Sequence, residues 1–257
     1  MQAPRPAESA LSTPGSQHRM APDVGTAGWA VPRAIADTFP AQGSALQRYS
    51  ARFNAAEINS TFYRSHRPGT YARWVEATPP DFRFAVKLPR TITHDARLLN
   101  AMAFVRAFRL EVVQLGRKMG PLLVQLPPKL DYDPMVAERF FRGLRDLWPE
   151  AVVCEPRHST WFEADADQLM SAYRIARVAA DPPRHSAASS PGGWRGMSYW
   201  RLHGSPQIYR SSYGDAALQA LASAVQAATG QTWCIFDNTT TGAAAADALR
   251  LKALLAS

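Results

Sequence analysis

Residues 152–162 read VVCEPRHSTWF, a run that turns from apolar to ionic within four residues. A short β-branched run breaks off at Glu155, Arg157 and His158, and the aromatic pair Trp161 and Phe162 follows. Side chains alternate along a strand, so Val153, Glu155 and Arg157 share one face while Val152 and Cys154 share the other. One face is apolar throughout and can lie against helices. The opposite face turns ionic at its carboxyl end, which is where parallel α/β sheets and barrels hold ligands.

Working outward, similar strand ends recur. Residues 54–64, NAAEINSTFYR, place Ala55, Glu57 and Asn59 on one face, and residues 82–90, FRFAVKLPR, bring Arg83, Ala85 and Lys87 together. Residues 121–128, PLLVQLPP, offer Leu123 and Gln125. Residues 175–181, IARVAAD, end at Asp181 before a Pro-Pro pair, which stops a strand. Residues 198–204, SYWRLHG, align Tyr199, Arg201 and His203, and residues 232–239, TWCIFDNT, add Asn238. The first strand is the glycine-containing DVGTAGW at residues 23–29. Between these runs the helical period appears at residues 44–52, 98–115, 135–147, 165–174, 215–229 and 242–255, with a further helix capped by Thr70. Residues 182–197 lack that period, and a long irregular loop is expected there in place of a helix between strands six and seven. Eight strands with mostly helical connections predict a single TIM-type (β/α)8 barrel, with a doubly wound open sheet as the alternative.

Length and composition agree with that count. A chain of 257 residues, 46% hydrophobic and 19% charged, has the usual size of one such barrel, about 250 residues. Residues 1–20, rich in Pro, Ser and Ala, are expected to form a disordered leader ahead of a barrel domain over residues 21–257. They lack the apolar core of a signal peptide, and no run of about 18 apolar residues suits a membrane span, so a cytoplasmic protein without a membrane partner is expected. Cys154 and Cys234, with no CxxC or Cys/His cluster, read as buried free thiols.

The net charge of +8 comes almost entirely from arginine, since only Lys87, Lys118, Lys129 and Lys252 are lysines. No block of consecutive basic residues or single-strand binding motif accompanies it, so nucleic acid is a less favoured partner than a small anionic substrate.

The segments EINSTFYR, DFRFAVKLPR with His94, LLVQLPP, CEPRHSTWF, ADPP, WRLHG and FDNT with Gly242 occur in that order. Together they resemble the motifs of the YecE-like family, domain of unknown function 72, over essentially the whole chain. The resemblance implies a TIM-type barrel and no particular reaction. Cys154 stands where an aliphatic residue is common in that family.

If the barrel closes, these strand ends converge on one mouth. Glu57, Glu155 and His203 are the candidates for proton transfer. Asn59, Lys87, Gln125, Arg157, His158, Asp181, Arg201 and Asn238 are the candidates for binding substrate. Lys87, Arg157 and Arg201, with backbone N–H groups brought close by Gly25 and Gly28, suit a phosphate or carboxylate. The expected function is therefore acid/base catalysis on a small phosphorylated or carboxylated molecule, without a cofactor. One alternative is a metal-dependent sugar isomerase- or nuclease-like enzyme with Glu57, Glu155, Asp181 and His203 as ligands; cations in the same mouth argue against it. Another is a non-catalytic module binding nucleic acid or protein. A self-neutralising ionic lattice, such as Asp181 with Arg201, is the bland reading of the same residues.

Overall fold

The computed structural model describes residues 21–257; the expected leader lies outside them. Strands β1 (Asp23–Ala27), β2 (Ala55–Ile58), β3 (Arg83–Lys87), β4 (Met119–Gln125), β5 (Val152–Glu155) and β6 (Ile175–Arg177) pair side by side in chain order, all parallel. The ladder then passes through β7 (Ala179–Asp181), β9 (Met197–Leu202) and β10 (Gln231–Phe236), and β10 pairs back onto β1. Between them, β8 (Gly192–Gly193) is a two-residue antiparallel edge on β6.

The expected sixth strand is thus one run interrupted at Val178. Its first half pairs with β5 and its second with β9. The Val178 N–H still donates to the Cys154 carbonyl at 2.8 Å, so the run crosses from one neighbour to the other and brings the two sides of the barrel together.

Helices α1 (Ala45–Ser50), α2 (Pro68–Glu76), α3 (Met102–Val112), α4 (Pro134–Leu147), α5 (Ala164–Ala172), α6 (Asp215–Ala227) and α7 (Ala243–Ala256) occupy the connections. Between β7 and β9 there is only a short 3₁₀ turn, Ser186–Ser189, and β8, in keeping with the aperiodic sequence there. Local chemistry sets the helix starts. Ser44 and Gln47 form a capping box on α1, and the Asp133 side chain accepts from the Met135 and Val136 N–H groups of α4. Thr70 is not the cap of α2: Pro68 takes the first turn, where its missing N–H costs nothing, and Arg67 is the boundary residue.

Alternation splits the core in two. Outward-facing residues such as Val24, Val86, Cys154 and Cys234 pack under the helices. Inside the barrel lie Ala55, Ala85, Leu123, Val153, Ala176, Val178, Tyr199, Trp233 and Ile235. Space there is filled tightly. Gly120 lies against Trp233, where an added Cβ would come within 2.6 Å of the indole. A Cβ on Gly25 would be 2.0 Å from the Ala55 carbonyl oxygen. Gly25 therefore serves close backbone packing, and the Gly28 N–H is spent on the Glu57 carbonyl at 2.8 Å; neither has the ligand-facing role expected from the sequence. Both thiols are buried, which pushes them far above their ordinary range and leaves them inert.

Candidate active site

Above the apolar interior, at the carboxyl ends of the strands, the inward faces turn ionic. Glu57 projects from β2, Lys87 ends β3, Gln125 ends β4 and Glu155 ends β5. Tyr199 and Arg201 share the inward face of β9 with His203 just beyond it, and Asp237 follows β10.

Arg201 is the centre of this group. Its Nε and Nη2 donate to the two carboxylate oxygens of Glu57 at 3.0 and 2.6 Å, its Nη1 donates to Glu155 at 2.9 Å, and Nη2 lies 3.1 Å from Asp237. Arg201 and Glu57 are both 0% exposed. Burial alone would lower the pKa of a guanidinium, but three carboxylates hold it well above the ordinary value. The Tyr199 hydroxyl also donates to Glu57, at 3.0 Å.

His203 is held between two carboxylates, with Nδ1 at 3.1 Å from Asp237 and Nε2 at 3.0 Å from Glu155. A neutral imidazole has one N–H, so bonding both carboxylates requires the doubly protonated ring. Burial pushes its pKa down, but the Glu155 charge and the two hydrogen bonds outweigh that and raise it. Glu155 also accepts from Gln125 at 3.0 Å and from Arg157 at 3.4 Å. Burial would raise its pKa, yet Arg201, His203 and Arg157 hold it well below the usual carboxylate range. Glu155 is consequently an anion throughout the neutral range.

Lys87 differs from the other cations. Its ammonium sits 4.2 Å from the centroid of the Phe62 ring. Burial and the Arg201 charge push its pKa down to about 8, against the pull of Glu57, Glu155 and Asp237. Beside the cluster, Glu155, Arg157, Arg184, His203, Ile208 and Tyr209 line a cavity of about 240 Å³.

Several sequence expectations need correction. Asp181 is not in the mouth. Ala176, Val178 and Ala180 carry the inward parity of that run; Ala180 stands beside Arg201, while Asp181 stands beside outward-facing Leu202 and accepts from the Tyr213 hydroxyl. Asn238 is likewise turned away, donating to the Ser211 carbonyl and to Asp247 on α7. Asp237 is the residue of that strand end facing the site, and the parity of Trp233 and Ile235 points to it directly. His158 accepts from the Thr160 N–H and caps the turn after β5. Asn59 begins the turn after β2, its Oδ1 buried without a protein partner. Glu57 belongs to the cluster but is sealed beneath Arg201.

His94 is closer to the site than a loop histidine would suggest. It is half-buried, packs edge-on to Phe62, and is pushed down in pKa first by burial and then by Lys87 and Arg157. Of the aromatics that follow the strand ends, Trp161 is core, donating to the Leu130 carbonyl, Trp29 packs on Trp74, and Tyr63 is 71% exposed.

Among the described residues no group of three or more His, Cys, Asp and Glu side chains surrounds a common metal point. Arg201 already occupies the place toward which Glu57, Glu155 and Asp237 converge.

Fold and site together define an α/β barrel with a charged mouth at the carboxyl ends of its strands. The family model described as "Protein of unknown function DUF72" matches residues 23–257, and the chain belongs to that family. UPF0759 protein YecE of Escherichia coli (strain K12) is 37% identical over 84 residues, 33% of this chain and 31% of that protein. UPF0759 protein YunF of Bacillus subtilis (strain 168) is 27% identical over 114 residues, 42% and 40% of the two chains. Those alignments thus span less than half of either relative. The crystal structure of a DUF72 family protein from Enterococcus faecalis V583 has a TM-score of 0.77 at 18% identity, covering 92% of this chain and 96% of that one. Another, from Thermotoga maritima MSB8, has a TM-score of 0.76 at 23% identity, covering 91% and 99%. These structures share the barrel fold.

Proposed function

We propose that the mouth of the barrel is the active site of an enzyme that performs acid/base chemistry on a small phosphorylated or carboxylated molecule. The observation that carries this reading is the charge left over in the mouth. Glu57, Glu155 and Asp237 are all engaged by Arg201, and His203 donates to two of them. Four cations, Arg201, His203, Arg157 and Lys87, stand against these three carboxylates; Arg157 meets Glu155, Lys87 has no carboxylate partner, and Arg184 lines the same cavity as Arg157. A largely buried site that keeps a surplus positive charge favours an anion.

Within this reading His203 and Glu155 are the proton-transfer pair, because the imidazolium Nε2–H bridges to Glu155 and both residues line the cavity. Asp237 fixes the ring through Nδ1 and Glu155 through Nε2, and Glu155 carries the compensating negative charge. Arg157 and Arg184, both lining the cavity, hold the anionic group. Glu57 positions Arg201 and takes no proton, since it is sealed from the cavity.

The test is thermal unfolding in sulfate or phosphate against chloride at matched ionic strength, because screening and salting-out otherwise imitate binding. Sulfate should raise the melting temperature of the wild type and not that of Arg157→Ala, in which about 1.5–3 kcal/mol per charged hydrogen bond is lost. An equal rise in both proteins would sink the anion site.

A further inference from the structure

We infer that Lys87 is an amine nucleophile that forms a Schiff base with a small carbonyl compound bearing an anionic group. The inference rests on the mouth being a substrate site and adds to it a reaction class. Every other cation of the cluster has a carboxylate partner: Arg201 has three, His203 two, and Arg157 meets Glu155. Among the described residues the Lys87 ammonium has neither a hydrogen bond nor a carboxylate within 4.0 Å, although the residue is only 4% exposed.

The same chain shows what a structural lysine looks like. Lys118, also largely buried, donates to the Val75 carbonyl, the Thr78 carbonyl and the Thr78 hydroxyl at 2.7, 2.7 and 2.9 Å. Burying an ammonium without such partners is costly, and a lysine desolvated beside another cation is the standard way to make an amine nucleophilic at neutral pH. Lys87 has that setting: the Phe62 ring on one side, Arg201 across the mouth, and His94 and Arg157 also within electrostatic reach of one another. The negative groups facing it, Glu57, Glu155 and Asp237, are committed to Arg201. They limit the downward shift without pairing the ammonium.

The step balances without a co-reactant. The nitrogen electron pair forms the bond to the carbonyl carbon, and the C–O π pair moves to oxygen. That oxygen leaves as water with two of the three ammonium protons, and the third remains on the iminium nitrogen. The product is a protonated imine, an electron sink for proton removal or carbon–carbon cleavage next to the former carbonyl.

The chain has only four lysines, which makes a direct experiment possible on the intact protein. It is incubated with glyoxylate and cyanoborohydride at several pH values, and carboxymethylation at each lysine is followed by peptide mass spectrometry. Lys87 should be modified at least tenfold faster than the exposed Lys129 at pH 7, and phosphate should slow Lys87 alone. Labelling of Lys87 no faster than Lys129 would overturn the nucleophile. Fast labelling that phosphate leaves untouched would support the nucleophile and remove the anion site, so the two readings fail separately.

Discussion

Arg201 is the residue on which the mouth depends, because three carboxylates at 2.6–3.1 Å are buried only with its charge among them. Removing one member of such a group strands the others in a poorly solvated place, a loss of about 3–5 kcal/mol. Arg201→Leu should therefore lower the free energy of urea unfolding by that order, and an unchanged midpoint would contradict the account. Its neighbour His203 governs the pH dependence. His203 is held above its ordinary 6.5 in the folded protein, so its contribution is complete below 6.5 and is lost as pH rises through the higher folded value. Glu155 and Asp237 are held below their ordinary 4.5 and 3.8, so theirs is present above those values and lost as pH falls through the lower folded ones. Lys87, pushed down to about 8, acts with the opposite sign in a later window, between about 8 and its ordinary 10.5. The urea midpoint should consequently decline from pH 6.5 to 8 in the wild type. In His203→Gln that decline should disappear, and an identical slope in both proteins would refute the assignment.

At the scale of elements, parity within a strand decides which side chains act. In β10 and the residues after it, Trp233, Ile235 and Asp237 face the barrel interior, while Cys234, Phe236 and Asn238 face α7. Asn238 ties the strand end to the helix through Asp247, whose carboxylate also accepts from Ser212 and the Tyr213 N–H. Asn238→Ala leaves that buried carboxylate one donor short, at a cost of about 1–3 kcal/mol. It should leave the response to sulfate intact, so an Asn238→Ala protein of normal stability that no longer responds to sulfate would place Asn238 back in the mouth.

Over the whole molecule the barrel closes at a weak seam. β6 and β7 have three residues each, and β8 has two, whereas β9 and β10 run for six residues in register. Short ladders open at lower free energy than the global transition. Amide hydrogen exchange should be faster at residues 179–181 and 192–193 than at residues 197–202 and 231–236. Uniform protection around the barrel would show the seam to be as firm as the rest. The cavity lined by Arg157, Arg184 and Tyr209 opens beside this seam, which places the most easily opened part of the sheet next to the mouth. Among the described residues no helix is long and apolar enough to cross a membrane.

The strand alternation and its polar ends were readable from the sequence, because a period of two and a helical period near 3.6 are local properties. That reading reached the barrel and correctly aligned Glu57, Lys87, Gln125, Glu155, Arg201 and His203. It also placed Cys154 on the helix-facing side and read Cys154 and Cys234 as buried thiols. Strand ends marked only by a charged or amide residue misled: Asp181 and Asn238 were expected in the mouth, yet each stands one residue out of phase with the inward face. The sequence held the correction, in the small inward run Ala176, Val178 and Ala180 and in Trp233, Ile235 and Asp237. Other features required three dimensions. The saturation of Arg201 joins residues up to 144 positions apart, and the lack of a partner for Lys87 follows from where those carboxylates had already bonded. Local pattern determines which way a side chain points; only the closed barrel determines which charges meet, because pairing depends on distances that no period in the chain encodes.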